Sequence, residues 1–148
     1  MCIRDSNTGG GGSAETSLSL AVSTDYTVTI GEGGTAPSAG GNNGNSGSDS
    51  VFASITSTGG GWGEYFNAAG TAGAGGSGGG ASYGHTGGAA VTSPAVQGYS
   101  GGNGTSNYQH GGGGGGAFEA GDPNTSTAAG NGGDGLSLIH ISEPTRPY

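Results

Sequence analysis

Two histidines, His85 and His110, are the imidazoles in the central part of this 148-residue chain, and imidazoles can serve as acid–base groups or metal ligands. Either role would require folding to bring both rings next to a carboxylate such as Glu64 or Glu119. Each histidine instead occurs singly in a short insert between glycine clusters, which is typical of a solvated loop side chain. We therefore predict that the chain is not an enzyme and holds no cofactor and no metal.

Other matches to functional motifs indicate no chemistry either. Residues 75–79 fit G-x-S-x-G, but no strand precedes them and no placed partners complete a triad. Residues 44–51, GNSGSDSV, differ by one residue from a calcium-binding turn that works only as stacked copies, so an Asx turn at Asp49 is the better interpretation. Asn103-Gly-Thr and Asn124-Thr-Ser are glycosylation sequons, which matter only in a secretory host.

The charge of the chain is strongly one-sided. Its formal net charge is -8, and its two basic residues, Arg4 and Arg146, lie close to the ends. Nucleic-acid binding depends on Lys and Arg that neutralise phosphates, and attraction to an anionic membrane surface depends on the same residues. We predict no nucleic-acid partner and no membrane insertion.

The two ends differ from the rest in the residues they use. Residues 1–6 read MCIRDS, and residues 136–148 read LSLIHISEPTRPY. MCIRD and the start of a Ser codon can be encoded by DNA whose reverse complement encodes LSLIH and the start of an Ile codon. This relationship resembles the transposon mosaic end of a sequencing-library adapter translated at both ends. We interpret 1–6 and 136–148 as adapter-derived and 7–135 as a truncated domain, with a strand-containing part at 7–58 and glycine-rich tracts and loops at 59–135.

The first third of the chain has the alternation of a β-hairpin. Apolar and polar residues alternate with a period of two on either side of a turn-forming run at 23–25. The apolar positions are Leu18, Leu20, Val22, Tyr26, Val28 and Ile30. A third strand is predicted at 51–58, where Val51, Phe52 and Ile55 would cover the apolar face of the hairpin.

Glycine supplies 40 residues of the chain, and in several stretches it recurs at every third position. These series are Gly41, Gly44 and Gly47, then Gly70, Gly73, Gly76 and Gly79, then Gly98, Gly101 and Gly104. Three residues per turn is the period of the polyproline-II conformation, whose backbone makes no internal hydrogen bonds and can pair with a neighbour where side chains are missing. We predict a mainly β and irregular fold in which a short β-hairpin and an edge strand are followed by a bundle of polyglycine-II helices with connecting loops. Glycine opposes helix formation, so no α-helix is expected.

The inserts between the glycine clusters carry most of the aromatic side chains. Tyr, Trp, Ser, Asn and Gly are the usual residues of binding loops, where rigid rings supply contact area at a low entropic cost. The candidate contact residues are Trp62, Tyr65, Tyr83, His85, Tyr99, Tyr108, His110 and Phe118. The competing interpretation is that these rings merely cover the glycine-rich backbone, because few other side chains can do so.

Several segments follow one another in a distinctive order: YTVTIGEGG (26–34), GNNGNSGSDSVFASITSTGGGWG (41–63), VQGYSGGNG (96–104), GGGGGGAFEAG (111–121) and NGGDGL (131–136). This order resembles the glycine-rich domain of bacteriophage tail-fibre and adhesin proteins and of bacterial surface proteins. The resemblance implies strands that flank polyglycine-II helices, with variable loops that bind a receptor on the host. GWGEYF departs from the pattern, which usually has only glycine after the third strand.

The function implied by this resemblance is recognition rather than catalysis. We expect a non-catalytic domain of a phage tail fibre or adhesin, located in the virion or on a cell surface, that presents loops to a protein or glycan receptor of a host cell. Assembly as a homotrimer or attachment to a fibre shaft is compatible with the resemblance. The alternatives are a structural glycine-rich extracellular or surface protein without a specific ligand, and a disordered low-complexity linker.

Overall fold

The structure is a computed structural model that describes residues 18–37, 41–66, 70–93, 95–105 and 110–135. The ends interpreted as adapter-derived, 1–6 and 136–148, lie outside the described residues, and so does Tyr108.

Regular secondary structure in the described residues consists of one small antiparallel sheet. Strand β1 spans Val28–Thr29, β2 spans Ser50–Phe52 and β3 spans Ile55–Ser57, and they lie in the order β1-β2-β3. The described ranges contain no α-helix, so the predicted mainly β and irregular class is confirmed. None of the described residues form a helix long and apolar enough to cross a membrane.

The hairpin of this sheet was predicted in the wrong part of the chain. Residues 18–22 form no strand, although the chain does turn at Val22 and Ser23, where Ser23 has a φ of 55°. The hydroxyl of Tyr26 accepts a hydrogen bond from the Ala21 N–H at 2.8 Å, so a side chain takes the place of the expected strand partner. The partner of β1 is β2, with Val28 opposite Phe52.

The stretch predicted as a single third strand, 51–58, is itself the hairpin. Phe52 lies opposite Ile55, which leaves Ala53 and Ser54 as a two-residue connection. Two-residue hairpin loops usually carry Asn or Gly at positions with positive φ, but here Ala53 takes that role with a φ of 53°. The turn was missed because neither residue belongs to the usual hairpin signature.

Beyond the sheet, extended segments pair through main-chain hydrogen bonds whose donors recur at every third residue. Gly44 and Gly47 donate to the 59–64 segment, at Gly63 and Gly60. An antiparallel β-ladder would repeat with a period of two. A period of three gives each segment faces in several directions, so it can pair with several neighbours at once.

The glycine series found in the sequence supply these donors. Gly73 and Gly76 donate to Trp62 and Gly59 at 2.8 and 2.9 Å. Gly101 and Gly104 donate to Gly88 and His85 at 3.0 and 2.9 Å. The three-residue spacing therefore marks one face of each segment.

Successive segments run back and forth through the bundle in alternating directions. In order, they are 44–47, 59–64, 72–76, 77–82, 85–91, 97–104, 111–116, 119–124 and 130–134. One end of the bundle, called here the loop end, carries residues 64–66, 82–86, 104–105 and 124–130. The opposite end, called the sheet end, carries the β2–β3 hairpin and residues 95–98 and 116–119.

The interior of the bundle is backbone rather than side chain. The buried apolar residues of the described ranges are Ala72, Ala81 and Ala95, and no large side chain there is fully buried. A Cβ atom at Gly101 would lie less than 3.0 Å from the main chain of Gly79, which real Cβ atoms essentially never do. Glycine is required at such a position because two backbones touch there, and each main-chain hydrogen bond so gained contributes about 1 kcal/mol.

Candidate recognition surface

Parallel pairing brings the first two inserts together at the loop end. Gly61 and Glu64 donate to the carbonyls of Ser77 and Gly80, so the 59–64 and 77–82 segments run side by side in the same direction. Their next residues must therefore emerge beside each other. This backbone pairing positions residues 64–66 against residues 82–85, which are far apart in the sequence.

A buried carboxylate fixes the two inserts to each other. The side chain of Glu64 is 0% exposed, and its Oε1 lies 2.7 Å from Nδ1 of His85. Its Oε2 accepts a hydrogen bond from the Ser82 N–H at 3.1 Å. These two contacts of one side chain join the 64–66 insert to the 82–85 insert. His85 was predicted as a contact residue, and the structure places it in a structural pair that leaves 25% of its side chain exposed.

Three exposed aromatic rings lie on the same two inserts, and we call Tyr65, Phe66 and Tyr83 the aromatic cluster. They are 40%, 38% and 44% exposed, respectively. The rings of Phe66 and Tyr83 pack edge to face, with centroids 5.3 Å apart and an interplanar angle of 78°. Tyr65 is tied to the loop by its N–H, which donates to Oδ1 of Asn43 at 2.9 Å.

Tyr83 has an unusual backbone conformation. Its φ of 46° lies in the left-handed region, which costs roughly 1–2 kcal/mol for a residue with a Cβ. Glycine would relieve this cost, and the next residue, Gly84, has a φ of 80°. The chain therefore holds an exposed aromatic side chain at a position where the backbone favours glycine.

Trp62 behaves differently from the aromatic cluster. It is half-buried, and a Cβ at Gly73 would collide with its Cδ1 and Cγ atoms. The indole therefore lies directly on the backbone of the neighbouring segment. For Trp62, the structure supports the interpretation that rings cover the glycine-rich backbone.

The remaining candidates are not brought into the aromatic cluster. Tyr99 and Phe118 lie at the sheet end, where the Tyr99 N–H donates to Gly116 at 3.0 Å and Phe118 is 47% exposed. His110 is exposed at the loop end, beside Asn124 rather than beside Glu64. The described residues contain no group of three or more His, Cys, Asp or Glu side chains that could hold a metal ion.

Asn124 holds the later loops of the loop end together. It is only 2% exposed, and its Oδ1 accepts hydrogen bonds from the N–H and the hydroxyl of Thr105 at 2.6 and 2.8 Å. Its Nδ2 donates to the carbonyl of His110. Because the side-chain amide of Asn124 is engaged in these bonds, its nitrogen is not accessible for glycosylation in the folded chain.

Phe66 is a site residue that the sequence analysis did not single out, and Asn124 was noted only as part of a sequon. Phe66 stands in the insert WGEYFNAA (62–69), and an aromatic residue next to Tyr65 was a signal that could have found it. The structural role of Asn124 carried no such signal, because it depends on loops that only the bundle brings together.

Comparison with protein families bears on this glycine-based architecture. A family model described as a glycine-rich domain matches residues 4–145. This chain belongs to the glycine-rich domain family. Neither the comparison with curated proteins nor the comparison with solved structures finds a match.

The family match covers the whole backbone interior of this glycine-rich domain. The matched span includes every segment of the bundle and also the NTGGGGS run at residues 7–13. The inserts that carry the aromatic cluster lie within the same span.

Proposed function

We propose that this glycine-rich domain is a non-catalytic recognition domain of a phage tail fibre or adhesin, and that the loop end contacts a receptor on the surface of a host cell. The observation that carries the proposal is the aromatic cluster at one end of the bundle. Exposed aromatic rings held on a rigid support lose little entropy on binding, and such residues dominate many recognition surfaces.

The support for these rings is proposed to be a bundle of polyglycine-II helices. The three-residue recurrence of main-chain donors is what favours this conformation over a β-sheet. A bundle of this kind would position the loops through many main-chain hydrogen bonds instead of a side-chain core. Loop residues would then be free to change without disturbing the interior.

The left-handed backbone conformation of Tyr83 is a second line of support for the proposal. Strain at a residue is retained where the surrounding structure imposes it, and such residues concentrate at functional sites. The aromatic ring of Tyr83 persists at a φ of 46° although glycine would cost less there. We interpret this as a conformation kept for the direction in which the ring is presented.

The charge of the chain narrows the class of receptor. With a net charge of -8 and no Lys or Arg between Arg4 and Arg146, the domain offers few counter-charges to an acidic surface. We expect the receptor to present neutral or basic groups to the loop end, as a protein or a neutral glycan does.

The experiment uses the labelled full chain and its binding to a panel of bacterial cells, measured by flow cytometry. Tyr83→Gly removes the ring and suits the backbone at that position, so the fold is expected to persist while binding falls at least about tenfold. Phe118→Ala is the matched control, because Phe118 is similarly exposed but lies at the sheet end. Equal binding by both variants and the unchanged chain would contradict the proposal.

The cell-binding experiment and an NMR spectrum of the unchanged chain together separate the alternatives. A structural surface protein without a ligand would bind no cell type, with or without Tyr83. A disordered linker would give random-coil chemical shifts throughout. The dense pairing of main-chain atoms favours a folded domain over the linker.

A further inference from the structure

The 77–82 segment is the centre of the bundle, and one of its sides is uncovered. Around it lie the segments 59–64, 72–76, 85–91, 97–104 and 111–116, each bonded to it through main-chain atoms. Each of these segments is also bonded to the next in that order. The described residues show no hydrogen bond between the last, 111–116, and the first, 59–64. Parallel rods of equal width pack with six neighbours, so one position beside the 77–82 segment is open.

The open position is a groove with a backbone floor and walls. It has a volume of about 520 Å³ and is lined by the segments 59–64, 77–82 and 111–116, in particular by Gly60, Gly80 and Gly114. Apart from Glu64, Ser77 and Ala81, its lining residues are all glycine. A groove of this composition has almost no side chains with which to bind a small molecule, but it matches the shape of another bare backbone.

The hydrogen bonds around the 77–82 segment predict whether its open side donates or accepts. The segment alternates between the two roles as one goes from each neighbour to the next. It accepts from 59–64, donates to 72–76, accepts from 85–91, donates to 97–104 and accepts from 111–116. Continuing this alternation, the open side should donate. Gly80 fits this expectation, because its N–H donates to no described residue although its carbonyl accepts from Glu64.

The glycines on the groove walls provide an independent observation. A Cβ atom at Gly60 would meet nothing within 4 Å, and the nearest atoms to a Cβ at Gly63, Gly111 or Gly114 would be 3.8 to 4.0 Å away. Elsewhere in the bundle, glycine is required because a Cβ would collide with a neighbouring backbone, as at Gly78. The described neighbours give no such reason for glycine at these four positions of the groove wall. A backbone lying in the groove would supply it.

We propose that the glycine run at residues 9–12 occupies this groove as an additional extended segment and accepts a hydrogen bond from the Gly80 N–H. The run lies outside the described residues and within the span matched by the glycine-rich family. Four successive glycines satisfy the need for a backbone without side chains. This assignment is independent of what the loop end binds.

The chain is long enough to make this connection. Ala21 is bonded to Tyr26, whose ring lies 6.1 Å from that of Phe52 in the sheet. Residue 12 and Ala21 are nine residue steps apart, which in extended form span up to about 30 Å. From the sheet to the groove is a shorter path, because Gly60 follows Ile55 by five residues, or about 17 Å.

Amide hydrogen exchange at Gly80, followed by NMR in the full chain, tests the assignment. In the unchanged chain, we expect exchange at Gly80 to be slowed at least about a hundredfold relative to a model peptide. The double substitution Gly10→Val and Gly11→Val places side chains where the groove has no room. It should return Gly80 to within about tenfold of the model-peptide rate while Gly78, which donates to Tyr99, stays protected.

A variant of the groove itself gives a second reading. Gly60→Val should also expose the Gly80 amide to exchange, because its side chain would enter the groove. Gly33→Val is the matched control and should leave Gly80 protected. A Cβ at either residue meets nothing within 4 Å, but Gly33 lies outside the groove. Fast exchange at Gly80 in the unchanged chain would overturn the proposal. So would protection that survives the change at residues 10 and 11, or protection that falls on dilution, which would identify a second copy as the occupant.

Discussion

The Nδ1 atom of His85 lies 2.7 Å from Oε1 of Glu64, across 21 residues of sequence, and this contact joins two loops that carry the exposed rings of the aromatic cluster. The contact exists because parallel backbone segments end side by side. It shows how a bundle with hardly any side chains in its interior can still position individual side chains at its surface.

Replacing Glu64 is expected to loosen the loop end. Glu64→Ala removes the carboxylate that accepts from the Ser82 N–H and contacts the His85 ring. We expect the free energy of unfolding to fall by about 1–3 kcal/mol, measured by urea denaturation with the fluorescence of Trp62, the single tryptophan. Glu119→Ala is the control, because Glu119 is exposed. Equal stability of the two variants would show that the carboxylate does not hold the loops.

Glycines at backbone contacts should be far more sensitive than glycines that face open space. Gly101→Val would force a side chain into the main chain of Gly79, at a cost above about 4 kcal/mol, and we expect the variant not to fold. Gly33→Val should be tolerated, since a Cβ there meets nothing within 4 Å. The dispersion of amide signals in NMR spectra distinguishes the two outcomes. A folded Gly101→Val variant would contradict the backbone-to-backbone packing.

The hydroxyl of Ser82 should be dispensable. Ser82 is 5% exposed, and its Oγ has no hydrogen-bond partner among the described residues, whereas its N–H and carbonyl are bonded to Glu64 and His85. A buried unpaired hydroxyl costs free energy, so Ser82→Ala should leave stability unchanged or raise it by about 1 kcal/mol. A loss of more than about 1 kcal/mol in urea denaturation would mean that the hydroxyl has a partner after all.

Asn124 should be among the polar side chains most important for stability. Asn124→Ala leaves the N–H and hydroxyl of Thr105 without their acceptor, and we expect a loss of about 2–3 kcal/mol. Asn131→Ala serves as the control, because Asn131 is exposed and makes one side-chain bond, to Asp122 at 3.2 Å. The difference between the two melting temperatures measures the effect. Equal melting temperatures of the two variants would show that Asn124 does not link the loops at Thr105 and His110.

The sequence predicts the main-chain pairing of the glycine tracts better than it predicts the sheet. Within the three-residue glycine series, Gly73 with Gly76 and Gly101 with Gly104 appear as rows of main-chain donors, because a period of three is a property of the backbone itself. The hairpin was misplaced because Ala53 and Ser54 form its turn without the Asn-Gly or Asp-Gly signature of two-residue hairpin loops. Alternation at 18–22 describes a strand only if a partner is present, and β1 pairs with β2 instead.

The candidate site could be predicted only in part. The residue types that form it were recognisable, and Tyr65 and Tyr83 do lie on the two inserts that backbone pairing brings side by side. Which inserts meet depends on whether neighbouring segments run parallel or antiparallel, and glycine spacing does not contain that information. The sequence therefore predicted Trp62 and Tyr99 as contact residues together with Tyr65 and Tyr83. In the structure, Trp62 covers the Gly73 backbone and Tyr99 lies at the sheet end.

The central claim is that main-chain hydrogen bonds between distant segments hold this domain together. Scalar couplings across hydrogen bonds report such contacts directly in NMR spectra of isotope-labelled protein. The structure predicts couplings from the Gly101 nitrogen to the Gly88 carbonyl carbon and from the Gly102 nitrogen to the Gly113 carbonyl carbon. Absence of these couplings, together with amide exchange as fast as in a model peptide, would contradict the claim.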